Sequence, residues 1–155
     1  MGSGDVKKFY EEYAKKYSLP SFDILDKEFE ISTLDGDKFI LRAIRNKIKS
    51  RVDNYVGIIE DLLNPDTSIS LLHECTYISE NRKKMMFNLY QKLMYVLRTA
   101  ELLEIEKSTF QDAKYISMFF KNNEKLKSQM KEIASLRMDT WKKDISPYVK
   151  EEYFG

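Results

Sequence analysis

Glycine is scarce in this chain. Of five glycines in 155 residues, Gly2 and Gly4 sit in the leading MGSG and Gly155 is terminal, so only Gly36 and Gly57 are internal. A phosphate-cradling loop or dinucleotide-binding turn uses several glycines for close backbone approach and positive φ. Nucleotide-binding motifs of that kind are excluded. Proline occurs only at Pro20, Pro65 and Pro147, which leaves long stretches free of helix breakers. Cys75 and His73 are each the sole residue of their kind. One chain therefore holds no disulfide and no Cys/His tetrahedron for zinc. A lone thiol fits a reducing compartment, and a cytoplasmic location is expected. Long apolar runs are missing too: none approaches the roughly 18 residues of a membrane span, and MGSGDVKKFY lacks the apolar core of a signal peptide.

An excess of one charge sign is also absent, with 26 Lys and Arg against 25 Asp and Glu. What is present is a folding composition: 43% hydrophobic, 33% charged and 13% aromatic residues, far from the profile of disorder. The length is that of about one domain. Residues 1–4 read as a tag remnant, 5–143 as a single helical-bundle domain and 144–155 as an irregular C-terminal tail.

Apolar residues recur at threes and fours rather than in alternation, which predicts an all-α fold. Val6, Phe9, Tyr10, Tyr13 and Tyr17 form one stripe of a short helix. Ser21 caps a second, with Phe22, Leu25 and Phe29 on its inner face. Asp35-Gly36 between two apolar runs is also a hairpin signal, but Leu41, Ile44, Ile48, Val52, Tyr55, Ile59 and Leu62 keep a helical period, so a long helix is expected from Asp37 to Leu63. A short crossover helix or turn around TSISLLHECTYIS follows. Ser79 then caps a long helix to about Ile105 whose apolar residues fall on two faces, Met86, Tyr90, Leu93 and Leu97 on one and Met85, Leu89, Val96 and Leu103 on the other, which places it centrally. Ser108 and Gln111 form a capping box for the last long helix, expected to end near Lys143. Its seam reads Ile116, Phe119, Asn123, Leu126, Met130, Ile133 and Arg137. The predicted architecture is an up-down-up bundle of three long helices with shorter N-terminal and crossover helices.

RAIRNKIKSR, Arg42 to Arg51, nevertheless packs five cations into ten residues. Lys38, Arg42, Arg45 and Lys49 fall in one strip of the helix, a candidate polyanion-binding face. A structural reading competes with it. Both central helices begin basic and end acidic, against their macrodipoles, and antiparallel packing would set the basic start of each beside the acidic end of the other. Tyr10, Tyr13, Tyr17 and Trp141 are candidate protein-interface residues, weighed against internal docking. Arg137 needs a carboxylate partner if buried.

His73 and Cys75, two apart, diverge on a helix and do not make a nucleophile–base pair. Adjacent carboxylates such as Glu60 and Asp61 also diverge, and Ser70 stands where a Glu-x-x-His iron motif needs glutamate. No catalytic, cofactor or metal residues are assigned. The expected function is a non-enzymatic helical interaction protein, a subunit or adaptor with a protein partner or a second copy of itself. A nucleic-acid-binding accessory protein is the alternative.

Overall fold

Serine side chains start four of the helices. The hydroxyl of Ser21 accepts from the Ile24 N–H at 3.3 Å, Ser68 from Leu71 at 3.2 Å, Ser79 from Arg82 at 3.2 Å and Ser108 from Gln111 at 3.3 Å. Each takes up a donor that a first helical turn leaves unpaired. In this computed structural model, residues 3–148 are described, with side chains for 5–142. The elements are α1 (Ser3–Tyr17), α2 (Phe22–Phe29), a 3-10 turn (Ile31–Thr33), α3 (Ile40–Leu63), α4 (Ile69–Thr76), α5 (Glu80–Glu106) and α6 (Thr109–Tyr148). There is no strand among the described residues.

Left-handed residues end three helices: Ser18 after α1, Glu30 after α2 and Lys107 after α5, with φ of 56°, 53° and 54°. Reversing the chain there lets the Leu19 N–H reach Ala14 O at 3.0 Å, which satisfies a carbonyl of the last turn.

Two boundaries differ from expectation. α3 begins at Ile40 rather than Asp37, because the Asp37 carboxylate accepts from the Phe39 N–H at 2.8 Å and holds a separate turn before the helix. The Asp35-Gly36 pair belongs to that connection, not to a hairpin. A Cβ on Gly36 would lie 2.8 Å from Val6 N and 2.9 Å from the Asp5 carbonyl carbon, so the absent side chain lets the loop lie against α1. α6 continues past Lys143 through Pro147 to Tyr148, since a proline so near the end removes only one ladder bond. The rest of the predicted tail, 149–155, lies outside the described residues.

The chain forms two compact units, Met1–Asp53 with Met94–Glu124, and Asn54–Leu93 with Lys125–Gly155. The first holds α1, α2, the 3-10 turn, the start of α3, the end of α5 and the start of α6. Its core includes Val6, Leu25, Ile31, Ile44, Ile48 and Ile116, all fully buried, and the Phe29 ring meets Phe119 and Phe120 at 6.0 and 5.7 Å. The second holds the end of α3, α4, the start of α5 and the remainder of α6, around Ile59, Leu62, Met86, Leu93, Met130 and Ile133. Each unit thus pairs starts with ends, and the three long helices pack as the up-down-up bundle that the periodicity predicts.

The predicted seams of α3 and α6 are buried, including the polar Asn123, except at Tyr55, Leu126 and Arg137, which are half-buried. α5 departs from prediction. It buries one stripe, Met86, Leu89, Leu93, Leu97, Ala100 and Leu103, while Met85, Phe87, Tyr95, Leu102 and Ile105 are exposed. α5 needs only one inner stripe to face α3 and α6, and the short helices do not cover its back.

Candidate interaction surfaces

The five cations of RAIRNKIKSR mostly turn inward or toward α2. Arg45 is 0% exposed; one guanidinium nitrogen donates to Asp112 Oδ1 at 2.5 Å and the other to the Glu104 carboxylate. A single arginine of α3 thereby holds the end of α5 and the start of α6. Burial pushes the Asp112 carboxyl up, opposed by the hydrogen bond and charge of Arg45 and by the charge of Arg42. Arg42 stacks on Phe39, 4.7 Å from the ring centroid. Arg51 and Lys47 serve the carbonyl end of α2, where the helix dipole is negative. Arg51 donates to the Glu28 carboxylate at 2.8 Å and to Glu28 O, and lies 4.1 Å over the Phe29 ring. Lys47 Nζ reaches Thr33 Oγ1 at 3.3 Å and Glu30 O at 3.5 Å. These contacts line a groove of about 680 Å³ beside α2, in which Lys47 and Arg51 already have partners and the exposed Lys27 has none among the described residues.

The predicted strip of Lys38, Arg42, Arg45 and Lys49 is therefore not assembled as an open face. Lys38 is exposed and Lys49 half-buried, but Arg45 is removed from solvent altogether. By helical angle Arg45 is the member closest to the seam, and Glu104 and Asp112 stand where its head arrives. The unit that contains the strip carries as many acidic as basic side chains. Registration by charge is realised on one side only. Arg45 with Glu104 joins the basic start of α3 to the acidic end of α5, whereas Arg82 pairs with Glu132 at 3.5 Å and Asp61 with Arg137 at 3.5 Å, both on α6.

The aromatic candidates are also largely internal. Tyr10 is buried and donates its hydroxyl to Pro20 O. Tyr13 donates to Lys38 O at 3.2 Å and stacks on Tyr17, which tilts against Phe110. Trp141 is half-buried, with its indole N–H given to Glu74 Oε2 at 2.8 Å and its ring 4.4 Å from His73. Arg137 finds its expected partner in the same carboxylate, donating to Glu74 Oε1 at 2.9 Å. Cys75 is a half-buried free thiol on a different side of α4 from His73.

These contacts reveal what the sequence did not suggest: α4 is inside out. Its buried residue is Glu74, 5% exposed, while Ile69 and Leu72 are 86% and 48% exposed. Single exposed aliphatics are ordinary, but a buried carboxylate with aliphatics outward on the same short helix is not. The signal available in the sequence was the need of Arg137 and Trp141 for an acceptor, which Glu74 meets. Among the described residues no helix is long and apolar enough to cross a membrane, and no group of three or more His, Cys, Asp or Glu is arranged to hold a metal ion. No protein-family model, curated protein or solved structure matches the chain.

Proposed function

We infer that the chain is a non-enzymatic protein-interaction module, a subunit or adaptor of a larger assembly, and that a protein partner docks on the outward face of α4. The inverted polarity of α4 carries this reading. Burying an Ile or Leu side chain fully stabilises a fold by about 1.5–3 kcal/mol, and α4 forgoes much of that for Ile69 and Leu72. It turns Glu74 inward instead, where Arg137 and Trp141 fix the helix to α6. A fixed helix with outward aliphatics suits a partner that supplies the missing apolar contact. The polyanion alternative is left with Lys38, Lys49 and a half-buried Arg42 on a unit of balanced charge, so it takes second place.

The test is affinity purification on the immobilised chain beside the folded double variant Ile69→Asp, Leu72→Asp. A protein retained by the natural sequence and lost with the variant supports the reading. Identical retention by both would exclude the α4 face.

A further inference from the structure

A second surface, independent of α4, lies along α5. We propose that two copies of this chain associate through the outward faces of their α5 helices, packed antiparallel about a two-fold axis. α5 is one uninterrupted helix, so the register of residues along its outer face follows from helix geometry. Opposite the buried stripe lie Phe87, Gln91, Met94, Arg98, Leu102 and Ile105, separated by threes and fours as in a packed helix pair. Tyr95 and Ile105, at 70% and 78% exposed, are the most open large side chains of this face.

Charge selects the occupant. α5 begins basic and ends acidic, which its own macrodipole disfavours, and the fold uses only part of that charge. Glu104 goes to Arg45, Arg82 to Glu132, Lys83 to Glu80 and Arg98 to Glu101. Lys84 and Glu106, both exposed, have no ion-pair partner among the described residues. Lys92 is likewise exposed and unpaired but lies off this face by helical angle, whereas Lys84 and Glu106 have opposite sign and sit at opposite ends of it. A second α5 laid antiparallel satisfies both at once, whereas a parallel one sets like against like. Centring the axis midway between Phe87 and Ile105 brings Phe87 against Ile105 of the second copy, Gln91 against its Glu101, Arg98 beside its Tyr95, and Lys84 within a turn of its Glu106. One self-complementary patch serves both molecules, as a two-fold interface requires. A single helix pair falls below the roughly 1,200 Å² of standard interfaces, which places the association in the weak, concentration-dependent class.

Sedimentation equilibrium of the full chain over a concentration series reads this directly. The natural chain is expected to shift from monomer to dimer as concentration rises. Lys84→Glu and Glu106→Lys, each facing its like in a homodimer at two symmetric positions, are expected to self-associate about tenfold more weakly. An equimolar mixture of those two variants regains the association, because the mixed dimer restores both ion pairs, one as in the natural chain and one with its sign reversed. Ile105→Glu abolishes it with an unchanged circular dichroism spectrum, and the α4 double variant leaves it intact. A natural chain that stays monomeric throughout, or a mixture no stronger than its separate components, overturns the proposal.

Discussion

The indole N–H of Trp141 and the guanidinium of Arg137 share the carboxylate of Glu74, at 2.8 and 2.9 Å. Residues one turn apart on α6 therefore grip one side chain of α4. Because Glu74 is buried, the helix is held by a polar contact where most short helices are held by an apolar one.

Removing that carboxylate leaves two donors without their acceptor. Glu74→Ala is expected to lower stability by about 2–4 kcal/mol, read as a lower urea midpoint. The sole tryptophan supplies an independent readout, since its emission shifts as the indole loses its partner. An unchanged midpoint and spectrum would show that α4 is held some other way.

High pH should find the buried phenols. Burial pushes Tyr10 and Tyr115 above the ordinary value of 10.0, with Arg45 opposing the shift at Tyr115. A folded-state value raised above the unfolded one means the stability is complete below about pH 10 and is lost as pH rises beyond it. Phenolate absorbance is expected to appear late for these two residues and together with unfolding. Tyr10→Phe costs about 1 kcal/mol at neutral pH through the lost bond to Pro20 O and lessens the alkaline decline.

The two internal glycines should respond oppositely to alanine. Gly57 lies inside α3 with nothing within 4 Å of an added Cβ, so Gly57→Ala is expected to stabilise by about 0.5–1 kcal/mol. Gly36→Ala drives a methyl group into the backbone of α1 and destabilises. Thermal melts of the two variants on either side of the natural chain check both signs.

The helices and their seams were legible because they are set by local rules. Ser21, Ser79 and Ser108 cap where the sequence places them, and Ile44, Ile48, Ile116 and Ile133 are buried where the period puts them. Misreadings arose where a partner decides. Apolar residues on two sides of α5 cannot reveal that only one side will be covered, and Glu74 in LLHECTY gives no sign that it faces inward until α6 brings Arg137 and Trp141 to it. The fate of Arg45 was only half visible: the acidic end of α5 hinted at Glu104, but Asp112 stands in the first turn of a helix whose approach depends on the whole bundle.

The central claim is that the basic run of α3 builds the fold, and a double-mutant cycle on Arg45 and Asp112 tests it most directly. Urea denaturation is expected to show each single alanine substitution costing about 3–5 kcal/mol. The double variant should cost at least about 1 kcal/mol less than the sum, the mark of directly interacting residues. Heparin or DNA binding by the folded natural chain should be negligible at physiological salt. If Arg45→Ala instead stays within about 0.5 kcal/mol of the natural chain, as surface substitutions do, and weakens a salt-sensitive affinity for polyanions, the account is contradicted and the strip belongs to a nucleic-acid surface.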